Sequence, residues 1–164
     1  MKIVWGIDPG TARIGISIFT IEGEGVRLID LILIDLTDIL AERRLGVIAE
    51  ALSFFLDIYT PDVVGLEKLL WGKNVKTALE VAEARGGIRY ILSSRNIEIV
   101  ECLPKVVKSV VGAPFFGKDK KAVRNAIVEM FSTEIKGDNV PWSFLVDDVV
   151  DSVAIALAVI DNAC

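Results

Sequence analysis

An α/β domain built on a mixed five-stranded sheet flanked by helices is predicted by three features of this 164-residue chain. Short apolar runs of strand length alternate with stretches of helical period. The first three runs follow one another directly, two of them joined by a tight acidic and glycine-rich connection, so they pair as neighbours. Each later run is separated from the next by a helical stretch, which suits strands added in parallel.

Residues 2–8 form a nearly continuous apolar run ending in Asp8-Pro9-Gly10, the pattern of a buried central strand stopped by a turn. Ile14–Ile21 and Val26–Leu36 are the second and third strands, linked by Glu22-Gly23-Glu24-Gly25. From Ala41 to Tyr59 the apolar residues Leu45, Ile48, Leu52, Phe55 and Leu56 recur at helical spacing, and Pro61 ends the element. The segment from Pro61 to Glu67 reads as a short buried strand with a carboxylate at its C-terminal end. Lys73–Leu92 is expected to be helical, Ile97–Glu101 to be a strand, and Pro104 to open a helix reaching Val111. Lys118–Phe131 is expected to form a further helix after a loop containing Gly112, Pro114 and Gly117. Turn residues around Gly137 and Pro141 then precede a closing helix from about Leu145 to Asp161. The order β-β-β-α-β-α-β-α-α-α is that of the ribonuclease-H-like fold.

Composition narrows the chemistry. No linker or repeat divides residues 1–164, so one domain is expected. The N-terminus reaches Asp8 and Pro9 too soon for a signal-peptide core, and every apolar run is broken by charge before it could span a membrane, which predicts a cytoplasmic protein with no membrane association. There is no histidine, and Cys102 and Cys164 are expected to form neither a disulfide nor a zinc site. Acid–base or metal work would fall to carboxylates, and oxygen-only sites favour magnesium, manganese or calcium.

The net charge is −5, but it is unevenly spread: residues 105–124 carry six basic residues against one acid, a net of +5 that leaves −10 elsewhere. A second stretch, 68–79, holds Lys68, Lys73 and Lys76. Either could be a solvated helix face or part of a phosphate-binding surface. Arg43 and Arg44 lie outside both stretches and are expected to be bystanders.

Among the acids, Asp8 and Glu67 each end a strand, and Asp148 and Asp151 share one face of the closing helix. Asp-Pro-Gly alone is an ordinary turn, and a carboxylate at a strand end can simply mark where the strand meets water. Acids near a helix N-terminus are favoured by its dipole. That accounts for Asp147 or Asp148, but not for Asp151 at the start of the apolar segment 152–158. Were the four to converge, each pair about 4 Å apart would repel by roughly 4 kcal/mol at an effective dielectric of about 20. Either raised pKa values or bound cations must offset that.

These residues carry a resemblance. Gly6-Ile7-Asp8-Pro9-Gly10, Glu67 followed by Lys73-Asn74 and Ala84-Arg85-Gly86, Pro104 with Lys108 and Val110-Val111-Gly112, and Asp148-Val149-Val150-Asp151 occur in the order and spacing of four motifs of the RuvC family of Holliday-junction resolvases. The resemblance covers nearly the whole chain. It implies a homodimer that cuts opposed strands of four-way junction DNA symmetrically in recombination and repair, with a branch-migration complex as a possible partner. It assigns Asp8, Glu67, Asp148 and Asp151 to catalysis and to two Mg2+ ions, with Mn2+ able to substitute. Lys73, Asn74, Lys108 and one or more of Lys118, Lys120 and Lys121 would contact DNA. Where the family commonly has a phenylalanine, this chain has Leu70, and Trp71 beside it could stack on a base or pack internally. Small residues Ala78, Ala82, Ala84, Gly86 and Gly87 are candidates for a close dimer contact. The competing readings are a YqgF-like nuclease acting on RNA, a non-catalytic junction-binding module and, more remotely, an actin-like ATPase.

Overall fold

The computed structural model describes residues 1–69, 75–110 and 146–164, with side chains in the second helix described from Ala78 onward. Strands β1 (Lys2–Pro9), β2 (Arg13–Glu22) and β3 (Gly25–Asp35) are followed by helix α1 (Ala41–Ile58), strand β4 (Val63–Glu67), helix α2 (Val75–Ser94), strand β5 (Glu98–Cys102), helix α3 (Pro104–Val110) and helix α4 (Asp147–Ile160). Each of these elements lies within about two residues of its sequence-based expectation; the Lys118–Phe131 helix falls outside the described residues. The strands form one sheet in the order β3-β2-β1-β4-β5. β1, β2 and β3 pair antiparallel, whereas β1 with β4 and β4 with β5 are parallel. This is the predicted mixed sheet.

Alternation along the strands divides the core in two. Trp5, Ile7, Ile14, Ile16, Ile18, Val64 and Leu66 pack toward α1 and α2, together with Ile48, Leu52, Leu56, Ile88 and Leu92. Val4, Phe19, Val63 and Cys102 pack on the opposite face with Val107 of α3 and the apolar side of α4. By the same alternation Gly6 and Asp8 of β1, Gly15 and Ser17 of β2, and Gly65 and Glu67 of β4 belong to the α4 face.

Helix α4 lies across the strands, and three glycines set how closely. A Cβ on Gly15 would fall 2.0 Å from the Asp148 carbonyl oxygen, one on Gly6 would fall 2.0 Å from that of Ser152, and one on Gly65 would meet Val159 and Ile155 at 2.6 and 2.9 Å. The helix therefore passes over β2, then β1, then β4 with its own backbone almost on the sheet. The Ser17 hydroxyl adds a buried tie, donating to the Ser152 carbonyl at 2.9 Å.

Beyond β4 the path of α4 leads toward β5, and Cys164 there is joined to Cys102 by a disulfide. This corrects the expectation that the cysteines stay apart. Their 62-residue separation in sequence hides the fact that a helix crossing the sheet returns the chain to its edge. Closing a loop of that length contributes about 4 kcal/mol in the chain-entropy account. No helix among the described residues is long and apolar enough to cross a membrane.

Candidate active site

The parallel register of β1 and β4 pairs Gly6 with Gly65 and Ile7 with Leu66, so Asp8 and Glu67 occupy the next step at adjacent strand ends. Both line one cleft, with Pro9, Lys68, Leu69, Val81, Arg85 and Pro104. Carboxyl ends of strands are where open α/β sheets gather their sites. Glu67 is half-buried. Burial, and next the negative charge of Asp151, push its carboxyl above the ordinary carboxylate range, while the Lys108 ammonium pulls it back. Two of the other predicted residues, Asp151 of α4 and Lys108 of α3, are thus near enough to act on Glu67.

Asp148 lies at the N-terminal end of α4, where Gly10 and Gly15 leave room for it. The Nε of Arg13 stands 3.3 Å from its Oδ2. That nitrogen is not aligned as a donor, and the buried Oδ2 accepts no hydrogen bond among the described residues. Asp147 is exposed and Asp151 half-buried. Among the described residues no three carboxylates already surround a single point as metal ligands would. The arrangement consists of neighbours: Asp8 beside Glu67, Glu67 within the field of Asp151, and Asp148 at the same end of α4. A buried carboxylate oxygen that accepts no hydrogen bond among the described residues, and a carboxyl raised by burial and by a like charge despite nearby Lys108, would each be stabilised by a bound cation. Together with an all-oxygen donor set, this fits a hard divalent cation that retains part of its water shell.

The basic residues divide. Lys108 is exposed on α3 and acts on Glu67, as a cation beside the acids should. Trp71, Lys73, Asn74, Lys118, Lys120 and Lys121 lie outside the residues whose side chains are described. Arg44 is no bystander: its Nε donates to the Ile39 carbonyl and its Nη1 to that of Thr11, both at 3.1 Å, which ties α1 to the loop after Asp8-Pro9-Gly10. Arg43 makes no such contact among the described residues and is the better control. Sequence reasoning also missed Arg13 and passed over what Arg85 does. Its Nε donates to the Glu67 carbonyl at 3.2 Å, and its Nη2 bonds to Glu101. Only tertiary structure brings these partners together, although arginines flanking the acid motifs were a visible hint.

The sequence model of the RuvC family, described as crossover junction endodeoxyribonuclease RuvC, matches residues 4–159. Proteins of that description are similar over nearly the full length. The one from Brachyspira hyodysenteriae is 36% identical over 95% of this chain and 92% of its own, and the one from Thermomicrobium roseum is 34% identical over 94% and 90%. The chain belongs to the RuvC family. Solved structures agree on the fold. Thermus thermophilus RuvC in complex with a Holliday junction substrate superposes with a TM-score of 0.78 at 21% identity, covering 98% of this chain and 94% of that one. A fowlpox virus resolvase bound to Holliday junction DNA gives 0.68 at 19% identity and 98% coverage of both. The present chain shares their ribonuclease-H-like fold.

Proposed function

We propose that this RuvC-family protein resolves Holliday junctions in recombination and repair, hydrolysing phosphodiesters at a divalent-metal site formed by Asp8, Glu67, Asp148 and Asp151. The observation that carries the reading is the placement of Asp8 and Glu67 at adjacent strand ends, with Asp151 of the overlying helix close enough to raise Glu67. Residues 1–164 act as one nuclease domain. The metal is Mg2+, as two ions, with Mn2+ able to replace it. Bound there, magnesium supplies an activated water and stabilises charge on the leaving oxygen. The protein's own groups prepare that chemistry. Asp8 and Glu67, fixed by sheet register, offer carboxylate oxygens at a preset separation. Arg13 neutralises part of Asp148, and Lys108 presents an exposed ammonium where a scissile phosphate would lie, able to stabilise charge that develops on it.

A homodimer is part of the proposal. Leu79, Ala82, Gly86 and Tyr90 form an exposed stripe at helical spacing on α2, and a Cβ on Gly86 would meet nothing within 4 Å, so a second copy could approach closely. Ala84 plays no part in it, being buried in the core of its own chain. The DNA face includes Lys108 and extends through Trp71, Lys73, Asn74, Lys118, Lys120 and Lys121. A branch-migration complex is a candidate partner and the cytoplasm the expected location, where reducing conditions would compete with the Cys102–Cys164 bond.

Incubation with magnesium and either a labelled four-way junction or structured RNA tests the reading. Paired symmetric nicks in the junction alone are expected, and cleavage of RNA alone would favour the YqgF-like alternative. Lys108→Ala should reduce junction cleavage about a hundredfold while binding falls only a few-fold, the pattern of a charge used mainly in the transition state. Arg43→Ala should change neither. Equal losses in binding and cleavage for Lys108→Ala would make it an affinity contact only.

The raised Glu67 carboxyl has a pH signature. A folded-state pKa above the unfolded one gives a contribution to stability that is fully present below the unfolded value and is lost as pH rises through the folded one. Metal binding needs the ionised form, so affinity should increase over that same window. In metal-free protein followed by carbon-13 NMR of the Glu67 carboxyl, Asp151→Asn should lower the titration midpoint only part of the way, because burial is the larger cause. Lys108→Ala should raise it. A midpoint unmoved by both substitutions would show that neither charge reaches Glu67.

A further inference from the structure

The end of β4 is held from both sides. Lys68 donates its main-chain N–H to the Cys102 carbonyl of β5 at 2.8 Å, and the Glu67 carbonyl one bond earlier accepts from Arg85 Nε of α2 at 3.2 Å. The same guanidinium bonds through Nη2 to Glu101, which stands opposite Leu66 in the β4–β5 register. Arg89, one helical turn further on, adds Nη1 to the same Glu101 oxygen at 2.5 Å. The Arg85 side chain is 13% exposed, whereas that of Arg89 is 48% exposed. Buried Ala84 and Ile88 seat this part of α2 against the sheet. Arg85 also lines the cleft that holds Asp8 and Glu67.

We infer that Arg85 is a positioning residue for Glu67: its guanidinium spans the Glu67 carbonyl and the Glu101 carboxylate and so fixes the terminal peptide of β4 from which the Glu67 side chain departs. The inference rests on the reading of Glu67 as a metal ligand. The planar fork of arginine suits the task because two of its nitrogens meet two acceptors in a set geometry; a lysine ammonium offers no such fixed pair. Glu101 orients the fork and balances its charge, leaving Arg85 a local strut.

Partners of this kind behind a metal ligand typically change metal affinity by about 10- to 100-fold when removed. Binding of Mn2+ to the DNA-free protein, followed by electron paramagnetic resonance, is the direct readout. Arg85→Gln should weaken it about tenfold or more, Arg85→Lys by an intermediate amount, and Glu101→Gln in the same direction but less. In junction cleavage Arg85→Gln should shift the half-saturating metal concentration upward by a similar factor, with much of the rate recovered at high metal and junction affinity within about twofold of the parent. Arg85→Lys, which keeps the charge and much of the packing, decides the matter if Arg85→Gln does not fold. Unchanged Mn2+ affinity in the folded variants, or a loss confined to junction affinity, overturns the inference. Glu67→Gln is measured alongside: wild-type Mn2+ binding by that variant would instead remove the ligand reading on which the inference rests.

Discussion

Asp8→Asn, Glu67→Gln and Asp151→Asn should each reduce junction cleavage by about a thousandfold or more while leaving junction binding intact or tighter. Each substitution deletes a carboxylate from the proposed cation site, and removal of a single charge-stabilising group in an active site already costs on the order of 10²–10³ in rate. Binding moves the other way because one negative charge fewer then faces the phosphates. Asp148→Asn should follow with a smaller loss, since Asp147 is adjacent and exposed while Asp148 is partly occupied by Arg13. Gel-shift titration in the absence of metal, beside nicking of a labelled junction in its presence, separates the two effects. Simultaneous loss of folding and binding would make these acids structural.

Gly15→Ala should be among the most damaging single-methyl changes at the described residues. The added carbon would sit 2.0 Å from the Asp148 carbonyl oxygen and 2.7 Å from the Val149 nitrogen, both backbone atoms of α4 with no rotamer to escape into. The helix has to lift, at about 3 kcal/mol or more, the upper range for overpacking. Because the lifted end bears Asp148 and Asp151, cleavage should fall with it. Gly86→Ala is the counterpart within a single chain: nothing of its own chain among the described residues stands near its Cβ on α2, so thermal unfolding at concentrations where the protein is monomeric should show a gain of roughly 0.5–1 kcal/mol from helix propensity. A Gly15→Ala protein as stable as its parent would show that α4 does not press on the sheet there.

Much of this could be read in the sequence. Strand periodicity and the acidic turn after Ile21 predicted three antiparallel strands, and β1 to β3 are placed accordingly. The strand-end positions of Asp8 and Glu67 followed from where the apolar runs stop, a local property. Harder to see was anything that depends on which elements meet. The Cys102–Cys164 bond, the Arg13–Asp148 pair and the hold of Arg85 on Glu67 join residues 62, 135 and 18 positions apart, on elements whose contact no local pattern encodes. One sign of the crossing helix was nonetheless present: glycines inside strands, at positions 6, 15 and 65, commonly mark another backbone coming close.

That crossing helix also fixes when the site can exist. Asp8 is synthesised well before the aspartates proposed to join it, which are carried by α4 more than 130 residues later and docked on β1 and β2 by long-range contacts. Such contacts close late, because the entropy of looping so much polypeptide must be met before they stabilise anything. A ribosome-bound chain, or one cut short before residue 147, can form its hairpin and much of its sheet yet present only half the carboxylates. With the α4 aspartates in the proposed site, DNA would meet no cutting-competent protein until synthesis has passed α4, and the chain order would delay a potentially harmful activity without needing an inhibitor.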